Sequence, residues 1–410
     1  MLLRLVAGFI LFAQSLAALA FQAVDVLTPS SSGRFPAYPT EGAPLSEFWV
    51  QGGVMVDDNI LRDSSPPPTE TVLRGGAGGR KDTYVYGRQM LRLQGRVDGY
   101  LFDQFSDLNN IAYDALGEWH WELGNDLSGV LGAGRRQYQR DLAQLQRDTK
   151  DTITQTTYTA NGTYLLGPHF RVRGGVDGAR YDSSRFEETD LRTLSAFVAG
   201  DFVTSLGNTL GVEYRQTRGD APVSELILPL ARAVDNTFDE RTLAATVGYI
   251  GPFLRLGGQV GRTKREYSEL PERNFEGTTW RASADWLVTT KTALGFETYY
   301  LPESVIDVAA SHVLVRGVAF GPGWAPTAKL NFSARIMREK QDFSGSPFVP
   351  LGVTALRQET VRNLRLGAYW EYTRQIHWQF AIDHGQRESN VSGRDFKYNA
   401  VIANVRYLFW

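Results

Sequence analysis

Side chains along most of this chain alternate between apolar and polar with a period of two residues, which limits its fold more than any other feature. Residues 364–372, for example, read Leu-Arg-Leu-Gly-Ala-Tyr-Trp-Glu-Tyr, and the same alternation recurs in residues 113–123, 330–336 and 378–383. Successive side chains of a β-strand point to opposite faces, so the pattern predicts strands with one apolar face and one polar face. The sequence therefore predicts an all-β protein.

Short turns recur between these segments about every 42 residues. They begin at Gly124, Gly167, Gly207, Gly251, Thr290, Gly321 and Arg374. Long polar connections lie between them, at residues 58–81, 140–151, 182–190, 219–239, 268–276, 341–359 and 387–394. Outer-membrane barrels combine short periplasmic turns with long external loops. We therefore expect a transmembrane antiparallel up-and-down β-barrel of about 18 strands, within a range of 16–18, in the cell outer membrane.

The first 45 residues differ from the rest of the chain. Residues 1–20 have a basic Arg4, an apolar run from Leu5 to Phe12 and small residues before Phe21, which together predict a secretory signal peptide. Residues 21–45 are rich in Pro, Ser and Gly and predict a flexible lead-in. The barrel is expected to occupy residues 46–410.

The end of the chain carries the most specific local pattern. Val401, Ala403, Val405, Tyr407 and Phe409 share one face of a final strand, and Trp410 follows. We interpret Tyr407, Phe409 and Trp410 as the signal through which the barrel-assembly machinery recognises the strand. A secreted soluble β-sandwich or solenoid is the alternative fold. It gives no reason for paired aromatic residues to recur near strand ends, as they do in the interfacial girdles of barrels in contact with outer-membrane lipid.

Composition and motifs argue against several classes of function. The chain has no cysteine, which excludes disulfides and thiolate metal sites. Its 43 basic and 45 acidic residues lack the basic excess of nucleic-acid-binding proteins. None of the five histidines has metal-site spacing, and Asp383 and His384, the best candidate catalytic pair, would point to opposite faces of one strand. We therefore expect no catalytic residues, no metal and no cofactor.

Charged residues on the polar faces are expected to line the lumen, because an arginine or lysine facing lipid at the bilayer midplane costs about 2–4 kcal/mol. The candidate anion path consists of a row on one strand, Arg88, Arg92 and Arg96, together with Arg171, Arg173, Arg255, Arg335 and Arg365. The candidate acidic partners are Glu118, Glu122, Asp177, Glu213, Asp285, Glu297 and Glu371. Two interpretations stay open: a cationic path for an anion, or Arg–carboxylate pairs that brace neighbouring strands.

One long connection is unusually apolar. Within residues 219–239, the segment 225–234 reads Glu-Leu-Ile-Leu-Pro-Leu-Ala-Arg-Ala-Val. It is expected either to fold inward as a plug, as loops do in porins, or to form a short helix packed on the barrel rim.

Three hairpin motifs and the chain end carry a resemblance to a known family. The hairpins are residues 121–129, 166–172 and 205–214, and the ending is Val405-Arg406-Tyr407-Leu408-Phe409. In these the chain resembles the outer-membrane barrels of exopolysaccharide biosynthesis loci, the EpsL type, within a broader group of β-barrel porins. The resemblance implies a role in exopolysaccharide export, with the polysaccharide and other envelope secretion components as partners. A general diffusion porin for small solutes and a non-conducting surface scaffold or adhesin are the alternatives.

Overall fold

The computed structural model describes residues 46–65, 67–145, 149–221, 225–227, 232–269, 271–303, 312–344 and 357–409. The signal peptide and lead-in expected at residues 1–20 and 21–45, and the terminal Trp410, lie outside these residues. No helix among the described residues is long and apolar enough to cross a membrane.

Among the described residues, twenty β-strands, one short α-helix and three single-turn 3-10 helices make up the regular structure. The first eleven strands are β1 (Ser46–Asp57), β2 (Glu70–Tyr86), β3 (Gln89–Phe102), β4 (Asn110–Leu123), β5 (Leu127–Gln139), β6 (Thr152–Leu166), β7 (Phe170–Ser183), β8 (Leu191–Val203), β9 (Thr209–Asp220), β10 (Glu225–Ile227) and β11 (Arg232–Val234). The others are β12 (Phe238–Ile250), β13 (Leu254–Tyr267), β14 (Phe275–Thr289), β15 (Thr292–Glu303), β16 (His312–Thr327), β17 (Leu330–Ser344), β18 (Gln358–Glu371), β19 (Ile376–Ser389) and β20 (Phe396–Phe409). The helix, α1 (Leu142–Leu145), lies between β5 and β6.

Eighteen of these strands close into one antiparallel barrel, which confirms the predicted fold class and strand number. Each strand pairs with its neighbours in the chain, β9 pairs with β12, and β1 closes the ring by pairing with β20. Trp49 of β1 lies opposite Leu408 of β20 at this closure. The remaining two strands, β10 and β11, form a separate hairpin.

The connections differ in length at the two ends of the barrel. The eight connections at the end that holds Ser46 and Phe409 span two to five residues, and the nine at the opposite end span six or more. Outer-membrane barrels place their short turns in the periplasm. We therefore call these the periplasmic and external ends.

The outer wall is apolar because one residue of each alternating pair points away from the lumen. Leu364, Leu366 and Trp370 of β18 are exposed on this wall, whereas Arg365 between them is partly buried on the inner side. Such a band of exposed apolar side chains is stable only in contact with lipid. The barrel is thus an integral membrane protein, and its architecture is that of the bacterial outer membrane.

Two predicted boundaries were wrong. The connection expected at residues 58–81 ends at residue 69, because β2 begins at Glu70 and contains the glycine-rich segment 75–79. These glycines make room for neighbouring side chains: a Cβ on Gly76 would lie 2.1 Å from Asp98 Oδ1, and one on Gly78 would lie 2.5 Å from the Trp49 ring. A glycine-rich sequence here marks close approach within a strand and not a loop.

The turn predicted at residues 321–323 is also wrong, since these residues lie inside β16. Gly321 and Pro322 keep their register with β15, while the pairing with β17 skips both residues. Proline has no N–H to donate, so a strand can contain it at a position where the pairing with one neighbouring strand is interrupted. The turn itself lies at residues 328–329, where Thr327 Oγ1 accepts a hydrogen bond of 3.1 Å from the Leu330 N–H.

The largest buried apolar cluster in the described part of the chain lies inside the barrel in its external half. It includes Met55, Tyr100, Phe102, Leu142 and Ile402, which come from β1, β3, α1 and β20. Leu142 is 2% exposed. The described part of the β5–β6 loop (residues 140–145 and 149–151) therefore contacts the inner wall through Leu142.

Candidate functional site: the lumen and its inward-folded loop

The strand ladders place the predicted charged residues on the inner wall, with one exception. The inner positions of successive strands pair with one another, as shown by Arg92 opposite Glu118 and Arg365 opposite Asp383. The predicted residues that share this wall are Arg92, Arg96, Arg171, Arg173, Arg255, Arg335, Arg365, Glu118, Glu122, Asp177, Glu213, Asp285, Glu297 and Glu371.

The exception is Arg88, which was expected to begin a row with Arg92 and Arg96. It lies in the turn between β2 and β3, where Gly87 has a φ of 53°. Glycine reaches this left-handed region without the steric penalty of a side chain, so the chain reverses here in two residues. Arg88 pairs with Glu122 at 3.2 Å at the periplasmic end.

Acidic side chains surround the remaining members of that row. Arg92 lies 3.1 Å from Asp82 and 3.4 Å from Glu118, and Arg96 lies 3.2 Å from Asp98. Asp98 also accepts two hydrogen bonds from Arg74, whose side chain is 0% exposed. These guanidinium groups are held by carboxylates of the same wall, which is the geometry of strand bracing.

A second braced group lies on β7, β8 and β9. Asp201 accepts hydrogen bonds of 2.6 Å from Arg171 and 2.7 Å from Arg173. Glu213 lies 3.8 Å from Arg173 and 3.1 Å from Arg215. One carboxylate thus neutralises part of the charge of two predicted path residues.

Asp177 belongs to the same group. It accepts a hydrogen bond of 2.7 Å from Thr159 Oγ1 and pairs with Arg215 at 3.3 Å. Arg215, which was not among the predicted site residues, therefore links two of the predicted acidic partners. Its position beside Glu213 on β9 follows the same alternation and could have been read from it.

The far side of the lumen repeats this arrangement. Arg365 lies 2.6 Å from Asp383, and Arg335 lies 3.7 Å from Glu297. Arg255 stands opposite Asp285 in the ladder between β13 and β14 and is exposed to the lumen. Glu371 lies opposite His377, whose Nδ1 lies 2.9 Å from Tyr369 Oη.

The described part of the β5–β6 loop extends along the inner side of the wall. Arg387 of β19 donates a hydrogen bond of 2.8 Å through Nη1 to the carbonyl oxygen of Ala143 in α1. Five strands of the wall separate β5 from β19, namely β4, β3, β2, β1 and β20. The contact between Ala143 and Arg387 therefore reaches across the inner side of these five strands. Its base is closed by the buried ion pair of Arg140 and Asp151.

Arginines at the external end hold the wall that the loop contacts. Glu359 at the start of β18 lies 2.7 Å from Arg357, 2.8 Å from Arg394 and 3.7 Å from Arg387. The Glu359 side chain is 1% exposed. Three guanidinium groups thus converge on one buried carboxylate beside the docked loop. The sequence did not predict this group because all four residues fall within the connections expected at 341–359 and 387–394, whose conformation the alternation does not determine.

Arg62 and Asp141 complete the contact region. Arg62 pairs with Asp57 at 2.8 Å, and its guanidinium carbon lies 3.5 Å from the centre of the Tyr398 ring. Burial raises the pKa of Asp141 above its usual value, although a hydrogen bond from the Ala143 N–H and the charges of Arg62 and Arg387 act in the opposite direction. Docking of the loop therefore removes part of the hydration of the Asp141 carboxyl group.

Two further observations concern the residues considered for catalysis and for metal binding. Asp383 faces the lumen, and His384 lies on the outer wall, where its Nδ1 is 2.8 Å from Asn399 Oδ1, so the two do not form an acid–base pair. Among the described residues, no group of three or more His, Asp or Glu side chains is placed to hold a metal ion.

The predicted plug segment takes a different form. Residues 225–227 and 232–234 form the β10–β11 hairpin, so the helix considered for this segment is wrong. Residues 228–231 between them lie outside the described part of the chain. Residues 140–145 fold inward, and no inward-folded segment was predicted there. Tyr407 and Phe409 lie on the outer wall of β20, where their ring centres are 5.0 Å apart. Their role in assembly stays a prediction.

No family model and no curated relative matches this chain. Similar solved structures include OccK2 (OpdF) of Pseudomonas aeruginosa, also solved in complex with glucuronate, and OccAB3 of Acinetobacter baumannii. OccK2 is 11% identical in sequence, with a TM-score of 0.49, and the match covers 89% of this chain and 98% of the OccK2 chain. OccAB3 is 10% identical, with a TM-score of 0.47, and the match covers 89% of this chain and 99% of the OccAB3 chain. Similarities at this level of identity and TM-score do not indicate which substance, if any, the protein transports. The closed ring of 18 strands makes this chain an outer-membrane β-barrel of porin-like architecture.

Proposed function

We propose that the protein is a diffusion channel for small hydrophilic solutes, with its size limit set by the β5–β6 loop. The observation that carries this proposal is the combination of an 18-stranded closed barrel with an inner wall of charged and polar side chains. Barrels of 16–18 strands are too wide for their own side chains to fill, and they enclose water. A polar wall of this kind is stable only against water or a polar solute.

The charges of the wall support a weakly selective channel. The arginines at positions 92, 96, 171, 173, 335 and 365 each lie within 3.8 Å of a carboxylate. Paired charges produce a smaller net field along the lumen than an uncompensated row of arginines would. The anion path suggested by the sequence is therefore limited to Arg255, which has no ion pair among the described residues.

The docked loop distinguishes small solutes from polymers. A conduit for the exopolysaccharide suggested by the sequence resemblance needs a continuous path for an extended chain. The contact between Ala143 and Arg387 places the backbone of α1 across part of the external half of the lumen. This favours diffusion of small molecules over passage of a polymer.

Swelling of liposomes containing the refolded protein tests the proposal. We expect swelling in isotonic solutions of monosaccharides and disaccharides, and a steep loss of rate with longer oligosaccharides. Equal rates for long oligosaccharides would favour the polymer conduit. Absence of swelling with every solute would favour the non-conducting scaffold. Heat-modifiable migration on gels, measured on the same samples, shows whether the barrel has folded.

A further inference from the structure

Four cations lie together on the outer wall of the barrel, where lipid is expected. They are Arg316 on β16, Arg338 and Lys340 on β17, and Arg362 on β18, and we call them the outer cation cluster. All four are exposed, and they alternate in their strands with inward-facing residues. Charged side chains on a lipid-facing wall are costly near the midplane and are tolerated at the interface.

The register sets like charges directly against one another. Arg316 is the ladder partner of Lys340, and Arg338 is the ladder partner of Arg362. Partners in an antiparallel ladder have Cβ atoms about 4.5–5.5 Å apart, and like charges in such pairs are destabilising. Two such pairs on three adjacent strands require compensation from elsewhere.

Carboxylates of the chain provide only part of that compensation. Lys340 lies 3.3 Å from Asp342, and Arg362 lies 2.8 Å from Glu388. Arg316 lies over the Tyr300 ring at 5.0 Å, and neither it nor Arg338 has a carboxylate partner among the described residues. Residues 345–356, which follow β17, contain no Asp or Glu. The cluster therefore carries two cations that the described protein groups leave uncompensated.

The position of the cluster indicates what kind of anion would compensate it. Toward the periplasmic end, the next outward residues are Val318, Ile336 and Leu364, which are exposed apolar side chains. Trp280 and Tyr300 pack together beside Arg316, with ring centres 4.9 Å apart. Aromatic residues and cations at the edge of an apolar band mark the level of lipid headgroups. An anion at this height with acyl chains below it is an anionic lipid.

We propose that the outer cation cluster binds the phosphate of a lipid in the external leaflet of the membrane. Guanidinium groups bind phosphate through paired hydrogen bonds, and Lys340 adds a third cation within reach of the same group. This binding site lies on the opposite side of the wall from the lumen. It is therefore independent of the proposed channel function.

The test uses lipid A, a glycolipid with two phosphates, as the probe. The detergent-solubilised full-length protein is titrated with lipid A, and bound lipid is counted by native mass spectrometry. The test variant carries Arg316→Gln and Arg338→Gln. Because each cation at an anionic lipid surface contributes about fivefold to affinity, we expect about 25-fold weaker binding.

A matched control removes two outward cations from β13. Arg262 and Lys264 lie 3.0 Å from Glu276 and 2.8 Å from Glu266, so their charge is already compensated. We expect Arg262→Gln with Lys264→Gln to bind lipid A within about twofold of the wild type, because neither cation belongs to the cluster. The single change Arg338→Gln, with about fivefold weaker binding expected, serves if the double variant does not fold.

Three results would overturn the proposal. They are equal affinity of the wild type and the cluster variants, an equal loss in the β13 control, and displacement of lipid A by millimolar inorganic phosphate, which would indicate a site for the free anion. Conductance of the cluster variants is expected to stay at the wild-type level. Their lipid affinity can therefore change while the channel function is intact.

Discussion

Arg387 Nη1 on β19 donates a hydrogen bond of 2.8 Å to the carbonyl oxygen of Ala143, a residue 244 positions earlier in the chain. The Nε of the same guanidinium donates to the carbonyl oxygen of Arg394, also at 2.8 Å. One side chain thus connects the external rim of the barrel to the loop that narrows the lumen. The contact links the fold to the proposed size limit and leads to the first prediction.

Replacing Arg387 should loosen the β5–β6 loop. A hydrogen bond to a charged donor contributes about 1.5–3 kcal/mol, so Arg387→Ala should favour the undocked loop and raise single-channel conductance. Arg387→Lys keeps the charge but cannot reproduce both main-chain contacts, and it should give an intermediate conductance. Planar-bilayer recordings measure both. Unchanged conductance in Arg387→Ala would show that this contact does not hold the loop.

Asp141 should make loop docking depend on pH. Burial raises its pKa in the docked loop, so the ionised carboxyl opposes docking. Docking is then strongest below the ordinary pKa of 3.8 and weakens as the pH rises through the raised value. Conductance should therefore rise with pH over this window.

Asp141→Asn keeps an oxygen that can accept the hydrogen bond from Ala143 and removes the ionisation. It should abolish this pH-dependent component of the conductance. Asp190, whose pKa burial also raises, lies in the β7–β8 connection, and Asp190→Asn should leave the component in place. If Asp141→Asn titrates as the wild type does, another group controls the effect.

Asp201 should control ion preference in the lumen. Its carboxylate holds both Arg171 and Arg173, so Asp201→Asn leaves two guanidinium groups less compensated in a water-filled channel. The reversal potential in a salt gradient should shift toward anion preference, and Arg171→Gln in the same background should reverse part of the shift. An unchanged reversal potential would place this group away from the path of the ions.

Arg74 should matter more for stability than other wall arginines. Arg74 and Asp98 are 0% and 1% exposed, and removing one member of a buried ion pair costs about 3–5 kcal/mol. Arg80 is 32% exposed beside Asp82, and a pair of this kind contributes about 0–1 kcal/mol. Thermal unfolding in detergent should therefore show a much larger loss for Arg74→Ala than for Arg80→Ala. Equal losses would contradict the assignment of Asp98 as a buried partner.

The sequence predicts the wall of the barrel well and its interior loop poorly. Alternation alone predicts that Leu364 and Leu366 point outward and that Arg365 points inward. In a strand of a membrane barrel, each side chain faces either the lipid or the lumen. The apolar segment 225–234 was expected to form a plug or a helix on the rim, whereas the inward-folded residues that the structure describes are 140–145. That loop is positioned by Arg387, and a contact between residues so far apart in the chain leaves no periodic signal.

The same limit explains the pairing of charges. Alternation indicates that Arg171, Arg173 and Asp201 face the lumen, but only the register between β7 and β8 shows that the three side chains meet. Register depends on turn geometry and the packing of the whole ring. The sequence alone therefore could not show which arginines pair with carboxylates of the wall and which could form an anion path.

Thiol modification of a single introduced cysteine tests the central claim, a water-filled channel narrowed by the β5–β6 loop. The chain has no cysteine of its own, so Ala143→Cys provides one defined site in the loop, and Val391→Cys provides a control in the exposed external β19–β20 connection. In planar bilayers, we expect both variants to conduct and a bulky thiol reagent to reduce the current of Ala143→Cys alone. A silent barrel, or a current through Ala143→Cys that the reagent does not change, would be inconsistent with a water-filled channel narrowed by this loop.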